Sequence, residues 1–196
     1  MAKPINRKEI RALETLSYEE ARDRLQTGQL VFCSGNYWFS GAIQRLTRST
    51  WSHVAIVYKD EELRRVMVLE AEPFVGIRLI PLSKYLKDYQ GKRRPYKGRI
   101  VVADIENPPE KQELNKAISF GLDELTRPYD NWEIIRILLR ILFQKGRKER
   151  NRSYICSELV RDCYAKAGLK FQLQDTYVSP DSIWSDARVV LKFRIL

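Results

Sequence analysis

Residue types that usually announce chemistry are scarce in this chain. Its 196 residues hold one histidine, His53, and three cysteines, Cys33, Cys156 and Cys163. These possible soft ligands lie 20, 103 and 7 positions apart, with no C-x-x-C or H-x-x-x-H pair. A zinc site is therefore not expected, and no metal or other cofactor is called for. Three thiols in a chain that shows no leader argue against a disulfide framework, so all are expected to be free. Gly35 and Gly41 fit no phosphate-binding fingerprint. No apolar run is long enough to span a membrane, and there is no internal repeat or low-complexity tract. Met1 to Lys8 lead into a charged helical segment instead of an apolar leader, which makes a cytoplasmic location, peripheral at a membrane at most, the expectation.

What is present describes an ordinary globular protein, with 44% apolar and 31% charged residues. The length suits a single domain with a full core. A net charge of +10 favours encounters with anionic surfaces, whether nucleic acid, anionic lipid or an acidic substrate, and does not choose among them.

Periodicity and punctuation predict the elements. Ile5 to Leu25 reads as helix in two pieces, because Ser17-Tyr18-Glu19-Glu20 has the form of a capping box, and Gly28 closes it. Leu30 to Cys33, His53 to Tyr58, Arg65 to Glu70, Gly76 to Ile80, Arg99 to Asp104 and Val189 to Phe193 read as strands. Leu82 to Leu86, Glu110 to Gly121, Trp132 to Phe143 and Cys156 to Ala167 read as helices, with Pro108-Pro109 leading the second and Gly168 ending the last. Ser179-Pro180-Asp181 reads as a turn. A charged turn centred between Glu61 and Glu62 sets His53 opposite Glu70, on the same face of a strand pair.

Any imidazole chemistry must pass through His53, and Cys156 stands about a hundred residues later at the predicted start of a helix. A thiol becomes a strong nucleophile on losing its proton, and the unpaired N–H groups of a helix start stabilise the thiolate. An adjacent imidazole completes the ion pair, and a carboxylate behind it, the role open to Glu70, fixes the tautomer. Taken singly, each residue has a plainer reading, since a helical cysteine is most often a small buried hydrophobe and a strand histidine most often structural. Cys33 and Cys163 fit that plainer reading.

In order along the chain, Gly28-Gln29-Leu30-Val31-Phe32, Trp51-Ser52-His53-Val54-Ala55-Ile56-Val57, Leu69-Glu70-Ala71 and Tyr154-Ile155-Cys156-Ser157-Glu158-Leu159-Val160 resemble the circularly permuted papain-like hydrolases of the NlpC superfamily. The branch it resembles is the YiiX/YaeF permuted amidase group, distantly related to the lecithin-retinol acyltransferase type. The resemblance covers roughly Gly28 to Gly168, with the histidine strand before the nucleophile helix, the permuted order. Where the group usually has Gly-Asp before the first strand, this chain has Gly28-Gln29. The resemblance implies an α+β fold with an antiparallel, barrel-like sheet packed against helices, spanning 28–196 behind an N-terminal helical extension, 1–27. It implies Cys156 as nucleophile, His53 as base and Glu70 as the residue orienting His53. The reaction would be cleavage of an amide or ester through a thioester, with Tyr154 or Tyr37 as a candidate oxyanion donor beside the Cys156 N–H.

The acyl substrate is then a small molecule, a peptide or a lipid. Trp132 to Phe143 carries one narrow polar stripe, Glu133, Arg136, Arg140 and Gln144, and runs into the basic segment Lys145 to Arg152. It packs in the core or, over 132–152, lies on an anionic membrane surface as in a lipid acyltransferase or phospholipase. A non-catalytic basic module for nucleic acid or anionic lipid would explain Lys92 to Arg94 and Lys145 to Arg152 but not the joint presence of His53, Glu70 and Cys156, so nucleic acid is disfavoured as a partner.

Overall fold

A computed structural model of the chain describes residues 7–35, 50–72, 75–127, 155–172 and 178–196. The expected helix Trp132 to Phe143, the basic segment after it, Tyr37 and Tyr154 lie outside the described residues. In chain order the elements are α1 (Arg7–Ala12), β1 (Thr15–Leu16), α2 (Tyr18–Arg24), β2 (Leu30–Gly35), β3 (His53–Asp60), β4 (Arg65–Glu72), β5 (Gly76–Pro81) and α3 (Ser83–Lys87). After a short 3-10 turn at Tyr89–Gly91 come β6 (Gly98–Ile105), α4 (Lys111–Asp123), α5 (Cys156–Lys166), α6 (Pro180–Trp184) and β7 (Val189–Ile195).

The strands form one seven-stranded sheet in the order β1-β7-β6-β2-β3-β4-β5, antiparallel except for the parallel pair β1 and β7. Alternation along β2, β3 and β4 gives the sheet two apolar faces. Leu30, Phe32, Val54, Ile56 and Leu69 form one, with Leu159, Val160 and Cys163 of α5 and Ala117 and Ile118 of α4 packed on it. Val31, Cys33, Ala55, Val57 and Val68 form the other, covered by Ala21, Leu25, Leu82, Tyr85 and Tyr89. Strands buried on both sides read as near-continuous apolar runs, and His53 to Val57 is one.

The capping box at Ser17 is present: the Ser17 hydroxyl accepts from Glu20 N–H, and the Glu20 carboxylate accepts from Ser17 N–H at 2.9 Å. Several expectations need correction. Thr15–Leu16, expected as helix, is a short edge strand, and Leu16 is buried. Ser179-Pro180-Asp181 is a helix start, not a turn: Ser179 caps α6 and Pro180 occupies its first turn. Pro108-Pro109 precede α4 without entering it, since its cap is Glu110. The β3-β4 register also differs. The ladder pairs Ile56 with Leu69 and Asp60 with Arg65, two residues from the expected register. The turn is longer than the sequence suggests, because Asp60 Oδ1 accepts from Leu63 N–H at 2.8 Å and Arg64 takes a left-handed conformation, φ 49°. Two residues is the period of a strand, so His53 and Glu70 keep a common face and meet diagonally.

Candidate active site

The sheet topology gathers the starts of β3, β5 and β6 and the ends of β2 and β4 at one end. His53 is the first residue of β3, directly across from Cys33 on β2. It shares its face with Glu70 and Glu72 of β4, and Arg78 of β5 stands opposite Glu70. From the other layer comes Cys156, at the first position of α5, close enough to His53 for its side chain to act on the titration of the imidazole. The helix start is held by Glu158, whose carboxylate accepts from the Ile155 N–H, and by Ser157, whose hydroxyl donates to Val178 O at 2.8 Å.

The His53 Nε2 and Glu70 Oε2 atoms are 2.7 Å apart. That contact leaves the ring's other nitrogen, Nδ1, for the thiol. Glu70 is fully buried, and both its oxygens are engaged. Oε2 also accepts from the Tyr85 hydroxyl, while Oε1 accepts from Arg78 Nε at 2.7 Å and pairs with Arg78 Nη2 at 2.7 Å. Arg78 Nη2 reaches Glu72 Oε2 as well, at 3.6 Å, and Glu72 Oε1 accepts from the Tyr89 hydroxyl at 3.2 Å. An isolated buried carboxylate would cost several kcal/mol and neutralise itself; here the two share one guanidinium, two phenols and an imidazole as partners.

Titration follows from these partners. Burial works against a charged His53, yet its hydrogen bonds to Cys156 and Glu70 and the charges of both raise its pKa well above the ordinary imidazole value. Burial likewise opposes ionisation of Glu70, and His53, Arg78 and Tyr85 together still hold its carboxyl below the usual range. Burial, then the neighbouring Glu70 carboxylate, push the Tyr85 phenol well up, so it stays a donor. The other thiols behave as core. Burial drives Cys33 well up and Cys163 to about 12, and Cys163 packs in the α4-α5 interface near Gly121.

His53, Glu70 and Glu72 each have a ligand atom within 4.8 Å of the others, a spacing a metal ion could bridge. The trio does not fit one. The Arg78 guanidinium already supplies the positive charge between the two carboxylates, and three of the four carboxylate oxygens accept hydrogen bonds from His53, Tyr85, Tyr89 and Arg78 while the fourth, Glu72 Oε2, faces Arg78 Nη2 at 3.6 Å. A divalent ion would have to displace a permanent cation.

Sequence reasoning singled out Cys156, His53 and Glu70, and these come together. It missed Arg78, Tyr85, Glu72 and Tyr89. Arg78 had a readable signal, a charge between Ile77 and Leu79 in an apolar strand; the tyrosines, in a short helix and a 3-10 turn, had none. Gln29, standing where aspartate is usual, donates from Nε2 to Asp104 Oδ1 at 2.6 Å, far from His53 at the other end of the sheet.

Comparison with known proteins bears on the family and the fold. Residues 24–190 match the family described as permuted papain-like amidase enzyme, YaeF/YiiX, C92 family. The fold is similar to the crystal structure of the metalloprotein YiiX from Escherichia coli O157:H7, with a TM-score of 0.60 and 19% identity over 85% of this chain and 95% of that one. At that identity the likeness is one of fold. No curated protein matches the chain.

Proposed function

The chain belongs to the permuted papain-like amidase family, and from that premise we propose that it cleaves an acyl amide or ester with Cys156 as nucleophile, His53 as general base and acid, and Glu70 as the residue orienting His53. One observation carries the reading: a buried imidazole stands between a fully buried carboxylate at 2.7 Å and a thiol on the first turn of a helix. These are the groups a thiolate-imidazolium pair requires, each held by packing rather than by surface loops.

Cys156 Sγ, its proton passed to His53, attacks the substrate carbonyl carbon. The resulting oxyanion accepts a hydrogen bond from the Cys156 backbone N–H, which at the first helical position has no intrahelical partner. His53 returns the proton to the leaving amine or alkoxide as the C–N or C–O bond breaks, leaving a thioester. His53 then takes a proton from water, whose oxygen displaces Sγ, and a carboxylic acid and free thiol result. Glu70 keeps the imidazole in one tautomer and stabilises its positive form throughout. Arg78 and Tyr85 are positioning residues that act through Glu70. Tyr154 or Tyr37 is the proposed source of a second oxyanion donor. Amidase chemistry calls for a small-molecule or peptide substrate; the lipid alternative depends on 132–152.

The test is alkylation of each cysteine by iodoacetamide against pH, read by peptide mass spectrometry in wild type and His53→Ala. Cys156 alone is expected to react quickly below pH 7 and to lose that advantage without His53. Equal, slow reaction at Cys33, Cys156 and Cys163 sinks the proposal.

A further inference from the structure

The His53 end of the sheet carries a second feature that the reaction scheme does not use. Between α3 and the first residues of β6 lie Lys92, Arg93, Arg94, Lys97 and Arg99, all exposed. Asp88 is the one acid between Ser83 and Arg99, and it is already engaged by Lys84 Nζ at 2.7 Å and the Arg93 N–H at 2.8 Å. The two carboxylates at this end, Glu70 and Glu72, are buried and paired. Other surface acids lie at the far end, in the Asp60-Glu61-Glu62 turn, where Glu61 pairs with Lys59 at 3.9 Å, and at Glu106.

This basic lobe is tied to the site. Tyr96 N–H donates to Tyr85 O at 2.6 Å, and Tyr89 N–H to Arg94 O at 2.9 Å. The rings of Tyr85, Tyr89 and Tyr96 pack with centroids 4.9 to 5.6 Å apart. The hydroxyls of the first two end on Glu70 and Glu72. On its other side, Arg99 pairs with Ser34, next to the row that holds Cys33 and His53. A run of cations that served only solubility would need no such anchorage. Like charges held beside a partly desolvated site concentrate counter-charge there, and a preordered lobe loses little entropy on binding.

We propose that the Lys92 to Arg99 lobe is the recognition surface of the Cys156 site and selects an acyl donor carrying an anionic group, phosphate or carboxylate, close to the scissile carbonyl. The inference rests on Cys156 as nucleophile, and the experiment separates the two. Cys156 alkylation by iodoacetate, an anion, is compared with that by neutral iodoacetamide, each relative to glutathione. The charged reagent is expected to be favoured at Cys156 by about tenfold at low salt, with the preference fading toward ~1 M salt. Lys92→Gln/Arg93→Gln/Arg94→Gln should remove most of the preference, read as a fall in the ratio of iodoacetate to iodoacetamide rates at Cys156. Arg64→Gln/Arg65→Gln/Lys111→Gln, the same charge loss at exposed positions at the other end, should keep it. Arg94→Gln alone should act in the same direction at smaller size, and it keeps the test decisive if the triple variant does not fold. Protection of Cys156 by inorganic phosphate over succinate would assign a phosphate group, and the reverse order a carboxylate. Absence of any iodoacetate preference, equal loss in the control triple, or protection by neither anion overturns the lobe's role. An unreactive Cys156 overturns the hydrolase reading first.

Discussion

The two ends of the central sheet are made from the same strands yet handle charge in opposite ways. At the end where β3 turns into β4, Asp60, Glu61 and Lys59 sit near water, the Lys59-Glu61 pair is 3.9 Å long, and Gln29 and Lys192 share Asp104. Such pairs contribute little, about 0–1 kcal/mol each. At the His53 end two carboxylates are buried and every oxygen is held. A fold has no stability reason to bury such a network, since apolar residues of the same volume would serve as well or better. The contrast is what the proposed thiolate-imidazolium chemistry would ask of that end.

The sharpest way to break the comparison is to remove its central groups. Cys156→Ala should abolish turnover of any acyl substrate, by on the order of 10⁴-fold or more, while Cys163→Ala should leave turnover intact. Cys163 lies on the same helix seven residues on, yet it is wholly buried and costs only packing. Glu70→Gln should lower turnover by about 10²–10⁴-fold and destabilise the protein. Taking away the carboxylate leaves Arg78 partly buried beside Glu72 alone, and breaking a buried pair costs roughly 3–5 kcal/mol. Chemical denaturation alongside kinetics separates the two effects.

Next in size is Arg78. Glu70 holds its carboxyl below the unfolded value of about 4.3, so its contribution to stability is complete above that value and fades as pH falls through the lower, folded one. His53, raised above about 6.5, contributes fully below 6.5 and less as pH climbs through its folded value. Arg78→Gln removes one of the charges that favour ionised Glu70, so the acid limb of Cys156 alkylation should move to higher pH. Arg78→Lys, which keeps the charge and loses the two-pronged contact, should restore part of it. A merely structural Arg78 would lower the melting temperature and leave the limb where it was.

How much of this was legible in the sequence depends on which interactions were local. The capping box at Ser17, the buried run at His53 and the helix from Cys156 carry their signals in a few adjacent residues, and each is present. The register was misread because turn length depends on an aspartate side chain and a left-handed arginine. The error was harmless, since a slip of two keeps the face, whereas a slip of one would have separated His53 from Glu70. Tyr85 and Tyr89 were invisible, as nothing within α3 or the 3-10 turn says which strand their hydroxyls will meet. Neither was the lobe's anchorage legible: its charges are plain in the chain, but their seat beside His53 follows only from the pairing of β6 with β2 and β2 with β3.

The smallest effect is expected where the comparison says charge is idle. Asp60→Asn keeps a side-chain oxygen that can accept from the Leu63 N–H, now 2.8 Å from Asp60 Oδ1, and removes only an exposed charge on the sheet's far end. Stability should change by less than about 0.5 kcal/mol, and both the alkylation profile and the iodoacetate preference of Cys156 should match wild type. Asp60→Ala also loses the turn's hydrogen bond and should cost about 1 kcal/mol, again without touching Cys156. If instead either variant shifted the reactivity of the thiol, the two ends would be electrostatically coupled along β3. The buried network around Glu70 could then no longer be treated as a unit insulated from the charges on the surface.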